Sequence, residues 1–506
     1  MRSVLFLSDT VSRRFIDLYD KSGLHLPNLD RLARHAAIFD NHFVGSAPCM
    51  PARRDIMTGR LGFLERNWGP IEAFDYTLQQ ALRAKGVWSH IITDHYHYQE
   101  IGGEGYLQRF DSWVMHHGQE IDHGVAQVPP PELPPHLGKL APQFWCNRRA
   151  YAGEESAYPS VKTVTEAARW LEEHHSDDDF LLWVEPFDPH EPFDVPQRWL
   201  DQVGDDYQGP LYLWPEYKHL SDSGISPEAL AHVRRRYMAL MLMTDHYLGR
   251  LLDVMDRHDL WRDTLFIYTT DHGCMLGEHD CMAKNYMPAY NEVFHIPLLV
   301  HLPGDAGAGR RISALTQNID IMPTLLEYYG IDPAACPNPL HGKSWLPLLR
   351  GEQASLRDCA IYGYFGKQVN ITDGRYTYFH SPARGNQPLA VYTSLATDIY
   401  HYFDAERLRN FDEIGMGRFL SWTNYPVYRF PGHLVKHAQS SSLRYSFLNE
   451  WEYEDRLFDL QSDYAQEINL AEARPDLAAR MQALLREALV RHDAPREQFE
   501  RLRLTE

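Results

Sequence analysis

Short apolar runs, rich in β-branched and aromatic residues, alternate through much of the chain with segments of helical spacing. The apolar runs predict buried strands at residues 4–8, 88–93, 180–184, 264–270 and 296–302. Between and after them, apolar residues recur every three or four positions, which predicts helices at residues 28–37, 76–85, 161–174, 227–258 and 319–329. Ser226 is expected to cap the fourth helix, with Pro227 in its first turn.

Strands that alternate with helices predict an α/β fold, in which helices cover both faces of a large, mostly parallel sheet. In such a sheet, functional side chains follow the carboxyl ends of the strands, and Asp9 and Asp271 occupy such positions. After about residue 360, aromatic and loop-rich sequence precedes a predicted strand at 456–460 and a predicted helix at 475–492. We therefore predict a large α/β domain over residues 1–360 and a smaller α+β domain over residues 361–506.

The composition narrows the class of protein. Asp and Glu total 69 against 49 Lys and Arg, and the formal net charge of -20 argues against nucleic acid or an anionic membrane as a partner. The apolar stretches are too short to cross a bilayer, and the start of the chain does not resemble a secretion signal. Six cysteines in 506 residues do not make a disulfide framework. These features predict a cytoplasmic globular protein.

The sharpest chemical signal is the pentad Cys-Met-Pro-Ala-Arg at 49–53, followed by Thr-Gly-Arg at 58–60. Taken alone, the pentad also fits an ordinary buried thiol, since cysteine is commonly buried. Further motifs are His-Leu-Pro-Asn-Leu-Asp at 25–30, Asp-Pro-His-Glu-Pro at 188–192, Thr-Asp-His-Gly at 270–273, Lys284, Asp-Ile-Met-Pro-Thr-Leu at 320–325 and Phe-Asp-Leu at 458–460. Over nearly the whole chain, these motifs resemble in order the type I, formylglycine-dependent sulfatases of the alkaline phosphatase superfamily.

The resemblance implies an alkaline-phosphatase-like fold and a particular nucleophile. In that family a separate formylglycine-generating enzyme reads the pentad and oxidises its cysteine, so Cys49 is expected to become formylglycine. One oxygen of the hydrated aldehyde would attack sulfur, and the other would expel sulfate as the carbonyl reforms. A plain thiol offers no second oxygen for that step.

A divalent metal site is predicted from the strand ends. Carboxylates and an imidazole that follow separate strands, as Asp9, Asp271 and His272 do, are suitable ligands. By resemblance, these three residues and residue 49 hold one ion, with Ca²⁺ expected first and Mn²⁺ or Mg²⁺ as alternatives, and the ion polarises the ester. Many family members carry two adjacent acidic residues at the first position, whereas here Asp9 is followed by Thr10, a weak ligand at best.

Three basic residues are expected around the transferred group. By resemblance, Arg53 holds the nucleophile loop, and Lys284 neutralises the non-bridging ester oxygens and can also assist the leaving oxygen. His190, in a proline-bounded loop after a strand, is the first candidate for the general acid, because an imidazole can supply a proton near neutral pH. Without its motif, it would be read as one surface histidine among 27.

The loop after the second predicted strand departs from the family, which places Gly-Lys-x-His there and uses the Lys and His on the sulfate. Asp94 aligns with that lysine and Tyr96 with that histidine, so the predicted pocket loses a positive charge. His95 or His97 could take the missing role, or both could simply pack against tyrosines. Asn67 either contacts the ester oxygens or shapes its own turn. The substrate-binding candidates are Asn67, His95, Tyr96 and His97.

The predicted function is that of a sulfuric ester hydrolase, which converts a small-molecule or saccharide sulfate ester to the alcohol and inorganic sulfate. A phosphonate monoester or phosphodiester hydrolase using the same site is the alternative, because His272 in place of an amide also occurs in those relatives. A non-catalytic binding protein of the same fold is disfavoured by the intact set of Cys49, Arg53, Asp271 and Lys284. The alcohol half of the substrate and the oligomeric state, including a homo-oligomer, are left open.

Overall fold

The computed structural model describes residues 1–403, 408, 411–432 and 453–505. In chain order, its strands are β1 (Arg2–Ser8), β2 (Ala37–Phe43), β3 (Trp88–Thr93), β4 (Ser112–Met115), β5 (His136–Gly138), β6 (Phe180–Glu185), β7 (Leu211–Trp214), β8 (Thr264–Thr270), β9 (Met275–Leu276), β10 (Met282–Ala283), β11 (Leu298–His301), β12 (Arg311–Gln317), β13 (Ala360–Gly363), β14 (Val369–Thr372), β15 (Tyr376–His380), β16 (Ala390–Thr393), β17 (Gly415–Gly417), β18 (Val427–Pro431) and β19 (Arg456–Asp459). Its α-helices are α1 (Pro27–His35), α2 (Cys49–Thr58), α3 (Leu78–Lys85), α4 (Glu104–Leu107), α5 (Pro142–Tyr151), α6 (Pro159–Glu173), α7 (Gln197–Gln202), α8 (Pro227–Arg257), α9 (Asn291–Phe294), α10 (Ile321–Tyr328), α11 (Leu346–Leu349), α12 (Pro475–Arg491) and α13 (Arg496–Arg501). Within these ranges, no helix is both long and apolar enough to span a membrane.

Eight of the described strands form one large sheet in the order β12-β2-β11-β8-β1-β6-β3-β4. β1 lies between β8 and β6 and is parallel to both. β11 runs antiparallel to its two neighbours, β2 and β8. The predicted α/β class, with a mostly parallel sheet between helices, is therefore confirmed.

Both faces of the inner strands β1, β6, β8 and β11 are buried, which is why these strands read as apolar runs. Successive side chains of a strand point to opposite faces. Val4 and Phe6 of β1 accordingly lie in one core with residues of α1, α6 and α8. Leu5 and Leu7 lie in a second core with residues of α3 and α10.

The predicted strands and helices of this part of the chain match the observed elements to within two residues at each end. The Ser226 hydroxyl accepts a hydrogen bond from the Ala229 N–H at 3.2 Å, so it caps α8 as expected. Elements that the pattern missed include β2 and α2. Asp40 and Asn41 interrupt the apolar run of β2. Every residue of α2 is buried, so no polar face reveals its helical period.

The C-terminal part forms a smaller sheet. Four antiparallel strands run in the order β13-β14-β15-β19, and α12 packs its apolar residues against them. β13 begins at Ala360, close to the predicted division of the chain, although the division into two domains stays a prediction. The small sheet is tied to the segment that leads into α2: the Gly363 N–H donates to the Gly45 carbonyl at 3.0 Å, and the Ala47 N–H donates to the Gly363 carbonyl at 3.2 Å.

Candidate active site

The residues predicted from the strand ends meet at the carboxyl edge of the large sheet. β1 and β8 are in register, with Ser8 paired to Thr270, so Asp9 and Asp271 follow side by side. α2 begins at Cys49, whose sulfur lies 4.0 Å from Asp9 Oδ1. The N–H groups in the first turn of a helix have no partner within it, so the start of α2 favours an anion beside Cys49.

Four buried side chains each offer a ligand atom within 4.8 Å of the other three: Asp9, Cys49, Asp271 and His272. His272 Nδ1 hydrogen-bonds to the Gly273 carbonyl at 2.8 Å, while its Nε2 lies 3.0 Å from Cys49 Sγ. Burial and the neighbouring Asp271 raise the pKa of Asp9 to about 6, as expected when two carboxylates lie together away from water. Carboxylate and imidazole donors in this arrangement fit a divalent cation.

Arg53 lies one helical turn after Cys49 and holds the cluster from inside the protein. Its Nε donates to Glu185 at 2.6 Å, its Nη1 to Asp271 at 2.5 Å and its Nη2 to Asp9 at 2.9 Å. Nη1 also donates to the Cys49 carbonyl at 3.1 Å. Arg53 is fully buried. Its role is therefore to hold the three carboxylates and the start of α2 in position. Sequence reasoning missed Glu185, although it ends β6 just as Ser8 ends β1.

Thr10 connects Lys284 to the cluster. The Lys284 ammonium donates to the Thr10 hydroxyl at 2.9 Å, and that hydroxyl donates to Asp9 Oδ1 at 2.5 Å. Lys284 also lies 3.5 Å from Glu191 Oε2. Burial alone would lower the pKa of Lys284, but Glu191 and the other nearby acidic groups raise it. Lys284 is therefore a fixed positive charge close to Cys49.

A cavity of about 210 Å³ opens beside this cluster. Predicted site residues on its wall are Cys49, Tyr96, His97, His190 and Lys284. Several others had no signal in the sequence: Trp68, Glu120, Lys139, Trp214, Tyr217 and Tyr400. These belong mostly to loops and short strands without a periodic pattern, and only the fold brings them together.

In the loop at 94–97, Asp94 and His95 are buried away from the cavity, whereas Tyr96 and His97 lie on its wall. The Asp94 carboxylate accepts hydrogen bonds from Gln119, Ser160, Thr163 and the Phe187 N–H. Burial nevertheless raises its pKa to about 6. Asp94 thus stabilises the loop and is not on the cavity wall.

The two candidate histidines of that loop differ in position. His95 is fully buried, with Nε2 3.3 Å from Met50 Sδ and Nδ1 3.6 Å from Asp9 Oδ2. His97 lies on the cavity wall, and its buried Nδ1 has no hydrogen-bond partner among the described residues. Burial lowers its pKa well below the usual value, so the ring is neutral.

His190 also lies on the cavity wall, and its ring stacks on Phe187 at 4.2 Å between centroids. Its Nδ1 is 2.5 Å from the Glu191 carbonyl and 3.2 Å from Glu120 Oε1. Burial lowers its pKa to about 3. In the protein alone the ring is neutral, which does not suit the role of proton donor at neutral pH; that role stays a prediction.

The remaining candidate, Asn67, is not on the cavity wall, whereas the adjacent Trp68 is. Asn67 is partly exposed. A role in shaping its turn, the second of the two predicted alternatives, agrees better with this position than a contact with the ester.

Comparison with known proteins gives consistent matches. A family model described as Sulfatase matches residues 3–331. The chain is 28% identical over 388 residues to the multifunctional alkaline phosphatase superfamily protein PehA of Trinickia caryophylli, across 64% of this chain and 71% of that protein. It is 23% identical over 445 residues to an N-acetylglucosamine-6-O-sulfatase of Bacteroides thetaiotaomicron, across 72% of this chain and 74% of that protein.

A solved structure supports the same fold. The crystal structure of a phosphonate monoester hydrolase of Agrobacterium radiobacter aligns with a TM-score of 0.67 and 19% identity, over 97% of this chain and 96% of that chain. At this identity the likeness concerns the fold.

Proposed function

The chain belongs to the sulfatase family of the alkaline phosphatase superfamily, and we propose that it hydrolyses a sulfate monoester with Cys49, converted to formylglycine, as its nucleophile. Family membership implies a metal ion and formylglycine, and the buried cluster around Cys49 fits both. One observation carries the proposal: Cys49, which belongs to the metal-binding cluster, lies on the wall of the same cavity as Lys284 and His190.

Asp9, Asp271, His272 and residue 49 would hold the ion, for which we propose Ca²⁺, with Mn²⁺ and Mg²⁺ as alternatives. When bound, the ion supplies positive charge that polarises the ester and favours the ionised nucleophile. Arg53 keeps Asp9 and Asp271 in place through its two terminal nitrogens. The protein therefore provides the geometry before substrate binds, which is the arrangement that electrostatic catalysis requires.

The chain's own residues also provide binding for the sulfate oxygens. Lys284 supplies a fixed positive charge, and α2 begins at Cys49, where the positive end of the helix dipole favours an anion. His97, whose Nδ1 has no partner in the described part of the chain, supplies a neutral hydrogen-bonding group on the cavity wall. His97 thus fits the role that the sequence left open between two histidines.

The size of the cavity bears on the alcohol. A volume of about 210 Å³ is below the usual range for drug-sized ligands, and aromatic rings of Trp68, Tyr96, Trp214, Tyr217 and Tyr400 form much of its wall. We propose a sulfate ester of a single-ring alcohol, either a monosaccharide or an aryl group, since both stack on aromatic side chains.

A second candidate function is hydrolysis of a phosphonate monoester or phosphodiester at the same site. His272 and the absence of a lysine at position 94 favour it, and the fold is compatible with either reaction. The two candidates are separated by comparing three substrates with one enzyme sample: para-nitrophenyl sulfate, para-nitrophenyl phenylphosphonate and bis-para-nitrophenyl phosphate. The proposed function requires the highest kcat/KM for the sulfate.

The test of the nucleophile combines mass spectrometry with activity. Protein co-expressed with a formylglycine-generating enzyme should contain a residue 49 with the mass of formylglycine, and it should release sulfate. Cys49→Ala should abolish that release. Cys336→Ala, at a partly exposed cysteine that is not on the cavity wall, is the matched control and should retain it. Full activity with an unmodified thiol at position 49 would contradict the proposal.

A further inference from the structure

Glu120 places a carboxyl group in a cavity that has to admit an anion. Its side chain lies on the cavity wall and is almost fully buried, at 8% exposure. An ionised carboxylate there would repel a sulfate ester, since charges of like sign interact strongly in a site with little water. A carboxyl group in this position therefore needs either a neutral state or a specific task.

Glu120 has an unfavourable backbone conformation. Its φ is +38°, in the left-handed region that non-glycine residues seldom adopt. The Asn147 side-chain amide donates to the Glu120 carbonyl at 3.3 Å, and the preceding Gln119 donates to Asp94 at 2.8 Å. The loop thus fixes the direction of the Glu120 side chain.

Five titratable groups face the Glu120 carboxyl. They are Tyr96, Lys139, His190, Glu191 and Lys284. Burial, and after it the charge of Glu191, raise the pKa of Glu120 to about 8, although both lysines and the Tyr96 hydroxyl act in the opposite direction. The carboxyl group is therefore protonated at neutral pH, whereas the neighbouring His190 ring is neutral.

We propose that Glu120 is the catalytic general acid that protonates the leaving alcohol, and that His190 positions it. This inference rests on the proposed function, because it concerns the same ester and the same cavity. Glu120 and Cys49 lie on the wall of the same cavity of about 210 Å³, and Glu120 Oε1 lies 3.2 Å from His190 Nδ1. A carboxylic acid kept neutral near pH 7 by burial is an established kind of proton donor.

The step balances without any further reactant. The ionised oxygen of the formylglycine hydrate at residue 49 forms a bond to sulfur as the bond between sulfur and the leaving oxygen breaks. The electron pair of the broken bond goes to the leaving oxygen, and the carboxyl proton of Glu120 moves to the same oxygen. The alcohol departs neutral and Glu120 becomes a carboxylate. The Tyr96 hydroxyl, which hydrogen-bonds to it, and the positive charges of Lys284 and Lys139 stabilise that carboxylate. The carboxylate then repels the sulfate product and regains a proton from water.

The experiment varies the leaving group, because an acid matters most when the leaving alcohol is weakly acidic. Wild type and Glu120→Gln are compared on phenyl and para-nitrophenyl esters, as sulfates or as phenylphosphonates, whichever class wild type hydrolyses. For Glu120→Gln we expect kcat on the phenyl ester to fall about 100-fold, the low end of general-acid effects, and kcat on the para-nitrophenyl ester to fall less than about threefold. The retained turnover of the activated ester shows that the variant is folded.

Two further variants and the pH profile sharpen the result. Glu120→Asp keeps a carboxyl group and should recover part of the phenyl ester rate. Glu100→Gln is the matched control, because burial also raises the pKa of Glu100, to about 7, but Glu100 is not on the cavity wall. Wild-type kcat on the phenyl ester should decline as the pH rises through about 8, and Glu120→Gln should lack that decline. Equal losses on both esters, or an unchanged pH profile, would overturn the proposal.

An infrared measurement separates this inference from the proposed function. Between pH 6 and pH 9, the difference spectrum of wild type should show loss of a protonated carboxyl band that Glu120→Gln lacks. If wild type hydrolyses only phosphonates, the proposed function is wrong, yet the leaving-group comparison still decides the role of Glu120. If the band is identical in both proteins, Glu120 is not a protonated acid and the inference fails.

Discussion

The ammonium of Lys284 donates a hydrogen bond to the hydroxyl of Thr10 at 2.9 Å, and this contact gives Thr10 a function other than metal binding. The same hydroxyl donates to Asp9 at 2.5 Å. Thr10 adopts a φ of +65°, which is uncommon for a β-branched residue and lets its N–H donate to Asp271 at 3.0 Å. Many relatives carry a second acidic residue at position 10. In this chain, Thr10 instead links the Lys284 ammonium to Asp9, the first predicted metal ligand.

Thr10→Val should lower kcat/KM about tenfold, because Lys284 and Asp9 both lose a buried hydrogen-bond partner. Steady-state kinetics on an aryl sulfate provide the measurement. Thr10→Ser, which keeps the hydroxyl, is the control and should stay close to wild type. Equal losses in both variants would show that the methyl group matters and the hydroxyl does not.

Arg53→Lys should lower the free energy of unfolding by about 3 kcal/mol, since a lysine cannot reach three buried carboxylates at once and leaves at least one unpaired. Urea denaturation monitored by circular dichroism measures the change. Arg31→Lys is suited as the control, because Arg31 also pairs with two carboxylates, Asp253 and Asp256, but at the surface. If Arg53→Lys lowers the free energy of unfolding no more than Arg31→Lys does, the three buried ion pairs of Arg53 do not stabilise the protein as expected.

Strand patterns predicted the carboxylates that follow strands, but they could not predict the residues of the connecting loops. Asp9 and Asp271 follow apolar runs, and a parallel sheet brings such positions to one edge. Glu185 obeys the same rule, but the predicted strand ended one residue too early to include it. Glu120 and Lys139 lie on irregular connections that have no periodicity to read, and no local pattern indicates which connections meet above the sheet.

Position 94 shows what an alignment leaves out, namely the surroundings of the side chain. The sequence predicts a positive charge lost from the pocket, and the structure adds that Asp94 is not on the cavity wall and accepts four hydrogen bonds. The physical reason is local. The four groups around the Asp94 carboxylate all donate to it, so the surroundings suit an acceptor at this position.

Asp94→Asn should lower the free energy of unfolding by about 2 kcal/mol at neutral pH, because an amide NH₂ would face the Phe187 N–H or the Gln119 amide, both of which only donate here. Asp177→Asn, at an exposed aspartate, should change it by less than about 0.5 kcal/mol. Thermal and urea unfolding of both variants test the difference. A loss no larger at Asp94 than at Asp177 would mean that the hydrogen bonds add little.

The same variant should change how stability depends on pH. Folding raises the pKa of Asp94 from 3.8 to about 6, so between those values the folded protein binds more protons than the unfolded chain. The stability that this proton contributes is complete below the unfolded pKa and is lost as the pH rises through the folded pKa. The decline in unfolding free energy between about pH 4 and pH 6 should therefore be shallower in Asp94→Asn than in wild type. Parallel curves would contradict the raised pKa.

Removal of divalent ions should lower the melting temperature and abolish activity, and Ca²⁺ should restore both. An ion present at about 100 times its dissociation constant stabilises the folded state by about 2.7 kcal/mol. Asp271→Asn should eliminate the shift that Ca²⁺ produces. His25→Ala is the control, because His25 belongs to a second, more exposed group with Asp17 and Asp30 and should leave the shift unchanged. A shift that depends on His25 would place the ion at that second group.

His95 and His97 form a matched pair, because they are two residues apart and both buried, yet only His97 lies on the cavity wall. His97→Gln should lower kcat/KM about tenfold or more with little change in unfolding free energy, since a charged ester oxygen loses one hydrogen-bond donor. His95→Gln should instead cost about 1 to 3 kcal/mol of stability, because His95 packs against Met50 and Tyr98. Kinetics and urea unfolding of both variants decide the assignment. The reverse pattern would assign the sulfate contact to His95, and would require the Asp9 side of the site to be open to substrate.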